Sequence, residues 1–417
     1  MQKIEVYSMD FEIFTLSNGL QVVHQQRKGW AAHAGFLINA GTRDEPQERE
    51  GLAHYLEHCL FKGTQKRKSF HILNRLDAVG GEINAFTTKE DTFIHASFLP
   101  KHYNRAIDLL VDITFRPSFP KKEVEREKDV VIDEIASYLD SPSDQIYDDF
   151  EDELFKEHPL GRNVLGTSES LKATSVDDLK EFHKNYYHPS NMVFSSVGDI
   201  SAKRLKKLLE KHLEGFTSQA NQERVQRVPQ MRLTNLKLEK NVHQAHVMIG
   251  SQAFHYTDKK RRAFVLLNNI LGGPSLNNRL NLNISEKYGF AYQIESNYTA
   301  FSDAGIFSVY MGTDAKHLDK ANALVLKELD KLRLKKLGTL QLHQAKEQLK
   351  GQFALSQESG SSQMMALGKS LNAFGYISSL ETIFSEIDAL TAEQLLEVAN
   401  EVFDPTLLSS LIFTPKE

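Results

Sequence analysis

Residues 51–64 read GLAHYLEHCLFKGT and hold His54, Glu57 and His58 within five positions. On an α-helix each residue turns about 100°, so positions i, i+3 and i+4 share a face. His54 and His58 then stand one turn apart, where two imidazoles can converge on one cation. Glu57 falls on the same side, slightly rotated, where its carboxylate can reach a water beside that cation. His-x-x-Glu-His is the inverse of His-Glu-x-x-His, an arrangement of zinc hydrolases. It supplies two ligands, whereas a catalytic zinc takes three and keeps one position open. An ordinary amphipathic helix that happens to carry two histidines also fits these residues.

The elements around the motif must bury it and complete it. Leu52, Ala53, Tyr55, Leu56, Leu60 and Phe61 give the helix apolar surface, and Gly63 suits its C-terminal cap. The run EREKDVVIDE at 125–134 offers Glu125, Glu127 and Glu134 as further carboxylates. Glu127 and Glu134 are seven apart and share a stripe. Read as residues alone, the run is a solvated helix face on which no glutamate stands out.

Composition narrows the function classes. The chain has 417 residues, 41% of them apolar and 25% charged, which fits a globular protein of two or three domains. A net charge of −5 gives no electrostatic case for nucleic acid or an anionic membrane. No apolar run reaches the roughly 20 residues of a membrane span. The stretch MQKIEVYSMDFEIFTL lacks a basic segment followed by an apolar one, so no secretory signal is read and a cytoplasmic location is expected. The single cysteine, Cys59, excludes an internal disulfide and reads as a small packing residue.

Strand and helix patterns alternate along the chain. A hairpin turning at Asn18-Gly19 is predicted over 11–26, a buried strand over 31–41 and a strand pair over 80–99. Helices are predicted over 69–80, 101–117 and 120–139, and a strand over 192–200. Residues 215–232 are polar and aperiodic and read as a linker between a first domain, 1–214, and a second, 233–417. The second half repeats the first. LHQAKEQLKGQFALSQESGSSQM, starting at 342, aligns without a gap with VEREKDVVIDEIASYLDSPSDQI, starting at 124, an offset of 218. So long a period means duplicated domains rather than a solenoid. The chemistry is not duplicated: Val265, Asn268 and Asn269 take the places of His54, Glu57 and His58, and Gln352 that of Glu134.

Six segments together resemble the pitrilysin/insulinase family of zinc peptidases, in the branch near mitochondrial processing peptidase. They are GTRDE (41–45), GLAHYLEHCLFKGT, GGEINAFTT (80–88), EREKDVVIDEIASYLDSPSD (125–144), HPLGRNVLGT (158–167) and LNISEKYGFAY (282–292), and they spread over essentially the whole chain. The resemblance implies an α+β fold: two homologous α/β domains, each a mostly antiparallel sheet packed with helices, forming one half of a clamshell. It implies a zinc metalloendopeptidase holding one Zn²⁺ per chain on His54, His58 and, as third ligand, Glu134. Glu57 would be the general base, and Glu127 would orient the site from behind the ligands. Asn84, Ala85 and Phe86 would lie on an edge strand that takes an extended peptide substrate by backbone hydrogen bonds.

In one place the family pattern is broken. Members carry an Arg and a Tyr seven apart that bind the substrate backbone from the opposing half. Here Tyr292 is kept, and Ser285 stands at the Arg place. A serine lacks the charge and the fork of a guanidinium. The expected partner is therefore a homologous subunit that lacks the zinc motif and supplies both Arg and Tyr, with a homodimer as the second arrangement. The alternative function is a non-catalytic scaffold homologue of processing-peptidase core subunits, for which a complete His54, Glu57, His58 and Glu134 set would have no use.

Overall fold

The computed structural model describes residues 11–220, 224 and 231–416. Within them the chain forms two compact units. The first comprises Met1–Ala136, Arg162–Val225 and Leu355–Leu380, and the second Ser137–Gly161, Gln226–Ala354 and Glu381–Glu417. Of the expected linker 215–232, residues 221–223 and 225–230 lie outside the described residues.

The first unit holds β1 (Phe11–Thr15), β2 (Gln21–Gln26), β3 (Ala32–Ile38), β4 (Glu82–Thr87), β5 (Thr92–Phe98) and β6 (Met192–Gly198). They lie side by side in the order β1-β2-β6-β3-β5-β4, and every pairing except β2 with β6 is antiparallel. The strand β4 is an edge. The central strands read as apolar runs because helices cover both faces. On one face Phe36, Ile94 and Phe194 pack with Leu52, Leu56, Ile107 and Leu110 from helices Leu52–Leu60 and Tyr103–Phe115. On the other, Val23, Leu37, Phe93 and Val197 meet Met364, Leu367 and Leu371 of helix Gly360–Phe374.

The second unit repeats this plan with β7 (Asn235–Lys240), β8 (Ala245–Gln252), β9 (Ala291–Ala300), β10 (Gly305–Thr313) and β11 (Ser409–Pro415). The order is β7-β11-β8-β10-β9, with only β7 and β11 parallel. Helices Arg261–Gly272, Leu318–Leu334 and Ala392–Val402 cover one face. Helix Pro142–Leu154 covers the other, setting Ile146, Phe150 and Leu154 against Met248, Tyr310 and Phe413. Both expected α/β sheets are thus present and mostly antiparallel. Among the described residues no helix is long and apolar enough to cross a membrane.

A division at 215–232 does not capture one feature. Helix Pro142–Leu154 belongs to the second unit and helix Gly360–Phe374 to the first, and their starts are 218 residues apart, the repeat offset. Each unit completes its core with a helix from the other half of the sequence. In the first unit the incoming segment is fixed at its start. Arg27 donates from Nη1 and Nη2 to the carbonyls of Gln357 and Glu358, both at 3.1 Å. The ring of His33, hydrogen-bonded to Ser97 Oγ at 2.8 Å, lies against Gly360, where an added Cβ would come within 2.7 Å of its Cδ2.

That contact gives a test of the exchanged helix. Gly360→Ala is expected to lower the thermal midpoint, with a loss of about 1–3 kcal/mol from overpacking. Gly351→Ala, in helix Thr339–Ser356 with no atom within 4 Å of the new Cβ, is expected to raise stability by about 0.5–1 kcal/mol. A Gly360→Ala chain that melts at or above the wild type would refute this packing.

Candidate metal centre

The motif forms the predicted helix, Leu52–Leu60. It ends sooner than Gly63 implied: Phe61 is the C-cap, still right-handed, and Gly63 lies beyond in a bridge with Lys68. Leu52, Ala53, Tyr55, Leu56, Cys59 and Leu60 all enter the core, so the helix is buried with a polar notch. Tyr55 donates its hydroxyl to the carbonyl of Val124 at 2.6 Å, which ties this helix to the acidic helix Lys121–Leu139. Glu127 lies three residues past that anchor and Glu134 ten, about one and three turns on.

The tie brings His54, His58 and Glu134 together. One ligand atom from each lies within 4.8 Å of the others. Glu134 is 3.4 Å from His58 Nε2 and 3.9 Å from His54 Nε2. The two rings are 4.7 Å apart, centre to centre. His54 Nδ1 is buried with no hydrogen-bond partner among the described residues. Its Nε2 is too far from Glu134 for a hydrogen bond. A buried imidazole with neither nitrogen paired is costly unless something else binds it. Burial, and the His58 ring beside it, push the His54 pKa down to about 4, so the ring is neutral at pH 7 and offers a lone pair. Two imidazoles and a carboxylate are a zinc donor set. On this chemistry the residues fit a zinc ion.

The neighbouring carboxylates divide the remaining work. Glu127 accepts from His58 Nδ1 at 2.9 Å and from Lys62 Nζ at 2.6 Å. A carboxylate only accepts, so in the neutral ring the His58 proton sits on Nδ1, which leaves the Nε2 lone pair on the cluster side. Glu57 is buried, and its Oε2 accepts from Thr87 Oγ1 at 2.6 Å. Burial raises the pKa of Glu57. The Thr87 bond and His58 pull it back, and Glu134 pushes it up again.

Asn84, Ala85 and Phe86 lie on the edge strand β4, whose last residue is Thr87. The strand therefore continues directly into the contact with Glu57. Asn84 is exposed, Ala85 packs against the core, and Phe86 stacks on Phe93 with centroids 5.8 Å apart. Tyr292 is not part of this cluster. It is the second residue of β9 in the second unit, is 69% exposed and donates to Asp314 at 2.9 Å. Ser285 lies in a wide helical turn, Asn281–Glu286, of the same unit.

Sequence reasoning missed Lys62 and Glu45, and it placed Thr87 on the edge strand without its contact to Glu57. Lys62 is one turn past His58, a spacing at which side chains on a helical path meet. Glu45 accepts from the backbone N–H groups of Gly51, at 2.9 Å, and Ala53, at 2.7 Å. Its signal was an absence, since no Ser, Thr, Asp or Asn stands at 51 to cap the helix.

The geometry orders the two acidic-helix residues. Glu134→Gln is expected to abolish tight zinc binding, and Glu127→Gln to weaken it by about 10–100-fold, the usual effect of losing a partner of a ligand histidine. Zinc content and competition with a chelating dye measure both. Metal lost from Glu127→Gln but kept by Glu134→Gln would reverse the assignment.

Comparison with known proteins agrees with the fold. Residues 21–168 match the family described as Insulinase (Peptidase family M16), and residues 173–349 the Peptidase M16 inactive domain. A Bacillus subtilis protein named as an uncharacterized zinc protease, YmxG, is 32% identical over 96% of this chain and 97% of its own length. A Streptomyces coelicolor protein, also named as an uncharacterized zinc protease, is 32% identical over 93% of this chain and 86% of its own. The crystal structure of a protease from Helicobacter pylori superimposes with a TM-score of 0.89 at 24% identity, covering 97% of this chain and all of that one. A peptidase M16 inactive domain from Pseudomonas fluorescens gives 0.88 at 19% identity over 98% of both chains. With a near full-length relative at this identity, and both M16 domains matched in order, the chain belongs to the insulinase (M16) family of peptidases.

Proposed function

We propose that this chain is a zinc metalloendopeptidase that hydrolyses peptides or unfolded segments of protein. The observation that carries the reading is the convergence of His54, His58 and Glu134 within 4.8 Å, with the carboxylate of Glu57 on the same helix. Zinc held there would supply Lewis acidity, polarising the scissile carbonyl and lowering the pKa of water towards about 7.

The protein residues do the rest. Glu127 holds the proton of His58 on Nδ1 and so keeps Nε2 free to ligate. Thr87 holds one oxygen of Glu57 and aims the other. Glu57 takes a proton from the attacking water at that free oxygen and passes it to the leaving amine. Its pKa, raised by burial, suits a group that must both accept and return a proton. The free edge of β4 offers backbone N–H and C=O groups to an extended peptide running past Glu57. No covalent intermediate is required.

The same reading extends to a partner. Ser285 stands where a guanidinium would grip the peptide backbone beside Tyr292. A charge-assisted hydrogen bond is worth about 1.5–3 kcal/mol, or roughly ten- to a hundredfold in rate if it forms mainly in the transition state. We therefore assign the working form to a dimer with a homologous subunit that lacks the zinc motif and provides both Arg and Tyr.

Two outcomes follow. Glu57→Gln is expected to retain zinc and the thermal midpoint while peptide hydrolysis falls by about 10²–10⁴-fold. Hydrolysis that persists in this variant would point to another mechanism. For the chain purified alone, Ser285→Arg is expected to raise activity on an unstructured peptide by about ten- to a hundredfold. A chain that is fully active alone and indifferent to Ser285→Arg would remove the case for a partner.

A further inference from the structure

The histidine helix has an unusual start. Its N-cap is Gly51, left-handed at φ 84°, with no side chain to cap the first turn. Such a turn leaves backbone N–H groups unpaired, and here they would be buried. Glu45 supplies the missing acceptor from six residues upstream. Its two oxygens take Gly51 N–H and Ala53 N–H, and its residue is only 6% exposed. A carboxylate also suits the positive end of the helix dipole. The residue after Ala53 is His54.

The cap is itself braced by the segment 162–170. Arg162 donates from Nη1 to the carbonyl of Glu45 at 2.8 Å, and its Nε lies 3.7 Å from a carboxylate oxygen of Glu50. Ser170 Oγ donates to the carbonyl of Glu50 at 2.6 Å. Gly166, also left-handed, lies so close that an added Cβ would come within 2.7 Å of Gly51 Cα. Gly51 is as tightly placed, since a Cβ there would come within 2.4 Å of the carbonyl oxygen of Leu165. The two glycines let the backbones touch, and Arg162 holds the backbone of Glu45 through its carbonyl. This accounts for GTRDE and HPLGRNVLGT, two segments that carry no ligand.

We propose that Glu45 is a positioning residue for the metal centre: it sets the first turn of the histidine helix, and hence the place of His54 relative to His58 and Glu134, and the 162–170 segment holds it there. The inference rests on the zinc-site reading above. His54 is in the first turn, and among the described residues its Nδ1 has no partner and its Nε2 is 3.9 Å from Glu134, too far for a hydrogen bond to orient the ring. His58 is in the last turn and is oriented by Glu127. The backbone at the helix start is therefore the main control on where the His54 nitrogen points. If that turn frays, His54 is the ligand that leaves the set.

The test is metal binding by the full chain, read without activity. Zinc affinity is measured against a chelating dye, and Co²⁺ is titrated while its visible absorption reports the number and geometry of ligands. Glu45→Ala is expected to bind zinc roughly 10–100-fold more weakly, with an altered Co²⁺ spectrum. Glu45→Gln keeps one acceptor oxygen and is expected to recover part of the affinity. Ile72→Val, a core change away from the cap, controls for lost stability and is expected to leave affinity and spectrum unchanged. Should Glu45→Ala fail to fold, Arg162→Ala is read instead, with a smaller loss in the same direction. A Glu45→Ala chain with a lower melting point but the wild-type affinity and Co²⁺ spectrum overturns the inference, as does wild-type affinity in a folded Arg162→Ala chain. A wild-type chain that takes up no zinc overturns the zinc reading itself, and this inference with it.

Discussion

A helix buried on most of its surface can carry two imidazoles and a carboxylate only if each polar atom meets a partner. This constraint shapes the first unit. The helix Leu52–Leu60 gives up most of its side chains to the core, and what remains is a notch that three other pieces of chain must serve. The acidic helix serves it with Glu127 and Glu134, registered by the Tyr55–Val124 bond. The edge strand serves it with Thr87, and the loop before the helix with Glu45. Among the described residues His54 Nδ1 has no hydrogen-bond partner, and His54 is the ring a cation would complete.

Much of this was legible in the sequence, for local reasons. The period of the apolar residues gives the histidine and acidic helices, and Asn18-Gly19 gives the first hairpin, because these signals are short-range. The gapless 218-residue repeat gives two homologous sheets. What was not legible is long-range. Glu134 could not be told from Glu125 by pattern, since both read as charges on a helix face, and it was the family resemblance that chose it. The structure separates them through the register between two helices, set by one tyrosine hydroxyl. The exchanged helices Pro142–Leu154 and Gly360–Phe374 were equally hidden. An amphipathic pattern says that a face is buried, but not which sheet buries it.

The second unit shows that the fold does not need the chemistry. Asn268 stands in the place of Glu57, and it bonds the edge strand much as Glu57 does. Its Nδ2 donates to the carbonyl of Ser296 on β9 at 3.2 Å. Gln352, in the place of Glu134, donates to Ser275 Oγ at 3.0 Å. Neutral amides have replaced ionisable groups with little change of scaffold. The contact between helix and edge strand is thus structural in both units, and in the first it has become a way of aiming a carboxylate. The sheet behind this contact is therefore compatible with either set of side chains.

The exchange of helices bears on the peptide as well. With both faces of each sheet covered, the central strands have no surface left to offer a ligand. Among the described residues, backbone hydrogen bonding stays open along the sheet edges, which in the first unit are β1 and β4. The strand β4 has six residues. It also ends on Thr87, the residue that holds Glu57. In the proposed reaction, a peptide pairing with β4 would pass Glu57 on the same strand that holds it through Thr87. On that proposal one element would set both the substrate and the carboxylate, so a displacement of the strand would move them together rather than apart.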